Sequence, residues 1–304
     1  MDGELSYMYI SNDSVIESRS WRELYQSYKK LIRPTVVIMG LTNGLVGVMY
    51  AQLSVNNLFY AFIALLTIAA IAAFSYGYNQ LTDLDEDRIN APHRPLVTGE
   101  LSVKECKIFL TGLLMLSTIP LLLTGRFIAL AIMLAGPVFS GVTYSLWRVK
   151  STIIKPFFVA FGWSFVPLIA YSTVMNEVSL IFVFFIPFFL ILMFLTTTMG
   201  DLRDVAGDIE NNVRSFPVVF GVRPTIINLQ IYTVLNYSIL VLGIILGILP
   251  IYSVLGLYGG WLLFRHVRTD KVLSRQKGMK NSLARFSWIT SLGLVIGQVI
   301  AFIL

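Results

Sequence analysis

Asn79, Asp83 and Asp87 stand four residues apart in the stretch NQLTDLDEDRINAPHRPLVTG, residues 79–99. On an α-helix that spacing drifts by only about 40° per step, so the three share one face while Asp85 falls opposite. A second set, Asp201, Asp204 and Asp208 in GDLRDVAGDIENNVRSFPVVFG, residues 200–221, takes the spacing i, i+3, i+7 and again forms a single face. Asp83 and Asp87 precede Asp204 and Asp208 by the same 121 residues. Each pair is followed by an Arg, a Pro and a Gly: Arg94, Pro95 and Gly99, then Arg214, Pro217 and Gly221. The pattern is that of an internal duplication of about four helices.

Carboxylates and carboxamides gathered at one place repel one another unless cations sit among them. Hard oxygen donors, few per set, suit Mg2+, which keeps part of its water and completes its shell with phosphate oxygens. Two such sets facing each other could hold a diphosphate through bridging metals, with Arg88, Arg94, Arg148, Lys150, Arg203 and Arg214 near enough in sequence to meet the remaining phosphate charge. Asp85, Glu86, Glu100 and Glu210 are read instead as solvated charges. A metal-coupled transporter is the competing use of the same acids. Against it, they end apolar segments rather than lying near a membrane midplane, where transporter sites sit.

The elements that carry these residues are set by an oily composition. Of 304 residues, 56% are hydrophobic and 13% charged, against about a quarter charged in soluble proteins. The expected fold is therefore all-α: a polytopic membrane protein whose helices bundle around a central cavity, with a cytoplasmic helical cap over the site. At roughly 20 apolar residues per crossing, nine transmembrane helices are expected, near 35–55, 58–80, 107–125, 127–146, 154–174, 178–199, 224–247, 249–265 and 284–303. With nine crossings and the N-terminus inside, Arg126 alone of the 23 Lys and Arg falls on the outer side. That asymmetry obeys the positive-inside rule and places both acid sets, each after an even-numbered crossing, in the cytoplasm and the C-terminus opposite. It also accounts for the basic balance without a nucleic-acid partner. No obligate protein partner is implied.

Ahead of the first crossing, residues 1–18 read as a disordered tail and 19–33 as an amphipathic helix at the membrane interface, with Ser20 and Glu23 in capping-box spacing and Trp21, Leu24, Tyr25, Tyr28, Leu31 and Ile32 on one face. The polar first 33 residues contain no cleavable signal pattern. The transmembrane domain then occupies 34–304. A single cysteine, Cys106, rules out an internal disulfide and a cysteine metal cluster.

The two acidic stretches resemble the paired signature motifs of the UbiA superfamily of intramembrane aromatic prenyltransferases. LIRP at 31–34 and YSLWRVK at 144–150, with Tyr144 and Arg148 in a Tyr-x-x-x-Lys/Arg element, are similar to that family as well. The resemblance runs from about residue 24 to the end, and nine helices is the family's number. It implies transfer of a prenyl group from a prenyl diphosphate to a small acceptor, with Mg2+ assisting departure of the diphosphate and an allylic carbocation left among apolar and aromatic walls. By position, Asn79, Asp83 and Asp87 would hold one Mg2+, and Asp204 and Asp208 with Asp201 the other. Arg94, Tyr144 and Arg148 would contact the diphosphate, with Lys150 and Arg88 as further candidates. Phe157, Phe158, Phe161, Trp163 and Tyr171 are candidate walls, and Arg33 and Asn43 candidate acceptor contacts. Gln80 departs from the Asp of many members, and Lys155 has no place in the pattern. The implied acceptor is an aromatic ring of quinone biosynthesis, with a glycerol-phosphate lipid as the alternative.

Overall fold

The computed structural model describes residues 20–51, 54–146, 152–210, 212–266 and 283–304. The tail at 1–18, Arg148 and Lys150 lie outside these residues. Among them every regular element is helical.

Helix α1, Trp21–Ile32, opens on the expected capping box: Ser20 Oγ accepts from the Glu23 amide at 3.3 Å, and Glu23 Oε2 accepts from the Ser20 amide at 2.9 Å. It ends at Arg33, whose φ of 48° is left-handed, and Pro34 starts α2, Pro34–Tyr50, at 57° to α1. Proline at a first helical position costs no hydrogen bond, so the bend falls between the helices rather than inside one. The apolar face of α1 divides. Leu31 is buried in a small core with Leu96, Leu101, Cys106 and Leu110, whereas Trp21 and Tyr25 are 87% and 63% exposed.

A long helix, α3, Leu58–Thr82, gives way at Asp83 to α4, Leu84–Asn90. Asp83 is out of helical geometry, yet its amide still donates to Asn79 O and its carbonyl accepts from the Asp87 amide, so the fourfold spacing of the acids survives the break. Next come α5, Val103–Leu123; α6, Phe127–Met133; and α7, Phe139–Leu146, joined to α6 by a π-turn at Leu134–Val138 that contains Pro137. The expected crossing at 154–174 is two helices, α8, Lys155–Ser164, and α9, Val166–Met175, divided just before Pro167. Helix α10, Phe182–Glu210, runs unbroken from Phe185, Phe188 and Phe189 in the core through the whole second acid set. The short α11, Phe216–Phe220, leads into α12, Val222–Ile245; α13, Leu257–His266, follows a 3-10 turn at Ile251–Gly256; and α14 is Leu283–Ile303.

Among the described residues, seven stretches are long and apolar enough to cross a membrane, from Val55–Thr82 to Phe286–Ile303. The two other expected crossings are shorter helices: α2 has 17 residues and α13 has 10. Leu123, Ile245 and Phe302 are each more than 70% exposed, an outer surface suited to lipid. Helix α8 packs against both α7 and α10, and α3 also meets α7. That arrangement sets the first acid set, on α3 and α4, and the second, on α10, around α7 and α8.

Candidate active site

A cavity lies between α3, α7 and α8. Ala72, Tyr76 and Asn79 supply one wall, Ser140, Gly141 and Tyr144 a second, and Val159, Gly162 and Trp163 a third. In each trio two residues stand three and four positions from the third, Tyr76, Tyr144 or Val159, intervals that keep side chains on one helical side. Gly162 allows the close approach of α7 and α8: a Cβ there would stand 3.0 Å from Ser140 Oγ. The inner part of the cavity is apolar, with Ile68, Ile71 and Val166, and the end toward α4 is polar, with Asn79 and Tyr144.

The Tyr144 phenol feels the charge of Asp83, Asp201 and Arg94 together. Of the two sets, Asn79 lines the cavity itself. Asp83, Asp87 and Asp201 are 8%, 6% and 2% exposed, while Asp204 is exposed and Asp208 intermediate, so the second set steps from the interior to the surface along α10. Asp85, on the other side of α4, leaves 90% of its side chain exposed and pairs with Arg88 at 2.9 Å. Arg88 is accordingly drawn away from the buried carboxylates, and Arg214 is exposed. The side chain of Arg203 lies outside the described ones.

Two of the buried acids are neutralised by side-chain cations. Arg94 forms an ion pair with Asp87, both largely buried. Burial pushes the Asp87 carboxyl up from its ordinary value; the bond to Arg94 and the charge of Arg33 oppose that rise, and Asp83 adds to it. Lys155 Nζ lies 2.6 Å from Asp201 Oδ1. What remains is a set of oxygens: Asn79 Oδ1, Asp201 Oδ2 and Asp208 Oδ2 are buried without a hydrogen-bond partner. Buried acceptors left this way are costly unless something with positive charge or a donor meets them.

Among the described residues no three His, Cys, Asp or Glu converge into a cage for a metal ion. The expected ligands therefore do not by themselves form a closed all-protein cage. This fits Mg2+, which is held by one or two carboxylates plus water and substrate phosphate rather than by an all-protein shell.

Several expected walls point elsewhere. Phe157 and Phe161 are 52% and 36% exposed on the outside of α8. Tyr171 donates to Glu177 Oε1 at 3.1 Å and stacks edge-on with Phe182. Of the five aromatics considered, Trp163 alone lines the cavity. Asn43 does not reach it either; its Oδ1 accepts from Ser291 Oγ at 2.7 Å and joins α2 to α14. Arg33 sits with its guanidinium 5.6 Å from the centre of the Tyr76 ring, beside the polar end. Tyr76 was missed in the sequence, although it continues the Asn79 face one turn earlier.

An all-helical bundle with an apolar chamber, oxygen donors and buried cations at one end defines a membrane-embedded site for an amphipathic, anionic substrate. Residues 41–289 match the UbiA prenyltransferase family, and the chain belongs to that family. It is similar to the protoheme IX farnesyltransferase of Methylocella silvestris, 28% identical over 293 residues, covering 92% of this chain and 89% of that one. It is also similar to the digeranylgeranylglyceryl phosphate synthase of Methanococcus vannielii, 25% identical over 235 residues, covering 77% and 80%. The fold matches a UbiA homologue from Archaeoglobus fulgidus bound to GPP and Mg2+, with a TM-score of 0.68 at 20% identity, covering 91% of this chain and 100% of the other. The protein is a multi-pass membrane prenyltransferase of this family.

Proposed function

We propose that this enzyme moves a prenyl group from a prenyl diphosphate to an aromatic ring of quinone biosynthesis. The observation that carries the reading is an apolar chamber whose polar end holds Tyr144 beside Asn79, whose Oδ1 is buried without a hydrogen-bond partner. A diphosphate there meets oxygen donors through Mg2+ and cations directly, while its hydrocarbon tail lies against Ile68, Ile71 and Val166.

Asn79, Asp83 and Asp87 would hold one Mg2+, and Asp201, Asp204 and Asp208 the other. When bound, the metal supplies positive charge that makes diphosphate a better leaving group. The chain's own part is to bind, orient and exclude water. Arg94 gives the diphosphate oxygens a bidentate cation, Tyr144 gives them a phenolic donor, and Arg148 and Lys150 extend that set by the family resemblance. The apolar walls keep water from the allylic cation, and the face of Trp163 can stabilise it.

The orientation we propose has nine crossings, the N-terminus and the site in the cytoplasm, and α4 and α11 within a cap over the cavity. Helices α2 and α13 then cross as short elements. At 1.5 Å per residue α2 spans about 26 Å, a few ångströms under the hydrocarbon thickness, which local thinning tolerates.

A second acceptor class, a glycerol-phosphate lipid, is favoured by the likeness to the Methanococcus vannielii synthase. Purified enzyme supplied with one labelled prenyl diphosphate and both acceptor classes in parallel separates the two by which product carries label. Release of diphosphate that depends on acceptor excludes the transporter reading. Uptake of intact prenyl diphosphate with no release would overturn the enzyme reading.

A further inference from the structure

Lys155 belongs to no element of the motifs, yet it stands four residues before Val159 on the stripe of α8 that continues through Gly162 and Trp163 along the cavity wall. Side chains on a helix lean toward its N-terminus, so Lys155 reaches away from Val159, beyond the start of α8. There its ammonium meets Asp201, itself 2% exposed and in electrostatic contact with Asp204 and Asp208. A lysine in a first helical turn works against the helix dipole, and its burial adds a desolvation cost. Asp201 offsets both.

The second acid set thereby copies the first. Arg94 is the cation on Asp87, and Lys155 is the cation on Asp201, contributed by a different helix. An ammonium carries three donors. Its hydrogen bond to Asp201 Oδ1 uses one and leaves two, on a side chain that keeps 23% of its surface open.

We infer that Lys155 is a further diphosphate-binding residue, the counterpart of Arg94 on the second acid set, aimed by Asp201 at the polar end of the cavity. The inference rests on the diphosphate reading above. It assigns Asp201 two roles, with Oδ1 orienting the lysine and Oδ2 left for a metal ion.

The test is calorimetric binding of inorganic diphosphate, in the presence of Mg2+, to the detergent-purified full chain, alongside the KM for a prenyl diphosphate. Lys155→Met should weaken diphosphate binding by about tenfold or more, the effect of losing one charge-assisted hydrogen bond. Its KM should rise by a similar factor, with kcat changed less. Lys155→Arg should restore most of the affinity. Should Lys155→Met fail to fold because Asp201 is left buried and unpaired, Lys155→Gln keeps a donor for Asp201 while removing the positive charge, and should show the same loss. Wild-type affinity and KM in a folded Lys155→Met or in Lys155→Gln would overturn the inference while leaving prenyl transfer intact. If the wild type binds diphosphate through Lys155 but transfers no prenyl group, the functional reading fails and this one stands. A wild type that binds no diphosphate overturns both.

Discussion

Single residues in this site divide by the charge they face. Asp83→Ala or Asp208→Ala removes an oxygen donor proposed to hold Mg2+, so acceptor-dependent diphosphate release should fall by at least about a hundredfold, as loss of a main electrostatic contact to a leaving group implies. Addition of EDTA should have the same effect on the wild type, and membrane yield of both variants should stay near normal. Retained turnover in either variant would count against the metal assignment. Asp85→Ala, which removes only the exposed pair with Arg88, should leave turnover within about twofold, in keeping with the small worth of surface ion pairs. The acids themselves were legible because fourfold and three-plus-four spacing is a helix face whatever surrounds it. Lys155 was not, since its partner is 46 residues away on another helix and sequence spacing says nothing about contacts between helices. Gln80 was seen only as a departure; in the fold its Nε2 donates to Leu31 O at 2.7 Å and fastens the end of α1 to α3.

At the scale of elements, Glu100 is the clearest difference from expectation. Rather than being solvated, it accepts from Lys30 Nζ at 2.7 Å and from Ser27 Oγ at 3.1 Å, clamping the turn before α5 onto α1. Leu96 and Leu101 are buried beneath the same turn, and Gly99, with φ at 77°, makes its sharpest bend. Lys30 holds the Glu100 carboxyl below its ordinary value. A depressed carboxylate contributes stability that is present above its unfolded value, near 4.5, and is lost as pH falls through the lower folded one. Protection of residues 91–102 from hydrogen exchange should therefore be flat from pH 8 to about 5 and weaken below that. Glu100→Gln should abolish the acid dependence at a cost under about 1 kcal/mol, since the pair is partly exposed. An unchanged acid profile in that variant would assign the transition to another group. Element boundaries were less legible than faces: proline breaks at α8–α9 and in the π-turn between α6 and α7 leave the hydropathy of each stretch untouched. The cavity wall follows from those breaks, and Trp163, just before one of them, is its largest side chain. Trp163→Ala should enlarge the chamber and lower the KM for longer prenyl donors relative to shorter ones, whereas a uniform rise in KM would place the tail elsewhere.

For the molecule as a whole, the charge pattern carries more information about orientation than helix length does. Among the described residues seven stretches are long and apolar enough to cross, but an odd or even total turns on α2 and α13. The six-residue 3-10 turn before α13 rises about 12 Å and α13 itself about 15 Å, so together they nearly match the hydrocarbon thickness. In the proposed nine-crossing orientation, the run of Lys and Arg from Arg265 to Arg285 would fall on the same side as the acid sets. The only cysteine, Cys106, is fully buried, which leaves the surface clean for single-cysteine labelling. Asn56→Cys and Leu304→Cys should react with a membrane-impermeant maleimide added outside intact cells, and Asp85→Cys only after the cells are opened. Labelling of Leu304→Cys together with Asp85→Cys would mean that α13 turns back without crossing. The cavity between α3, α7 and α8 would be unchanged, since no C-terminal helix lines it, but the C-terminus would lie in the cytoplasm and α13 would be a re-entrant element.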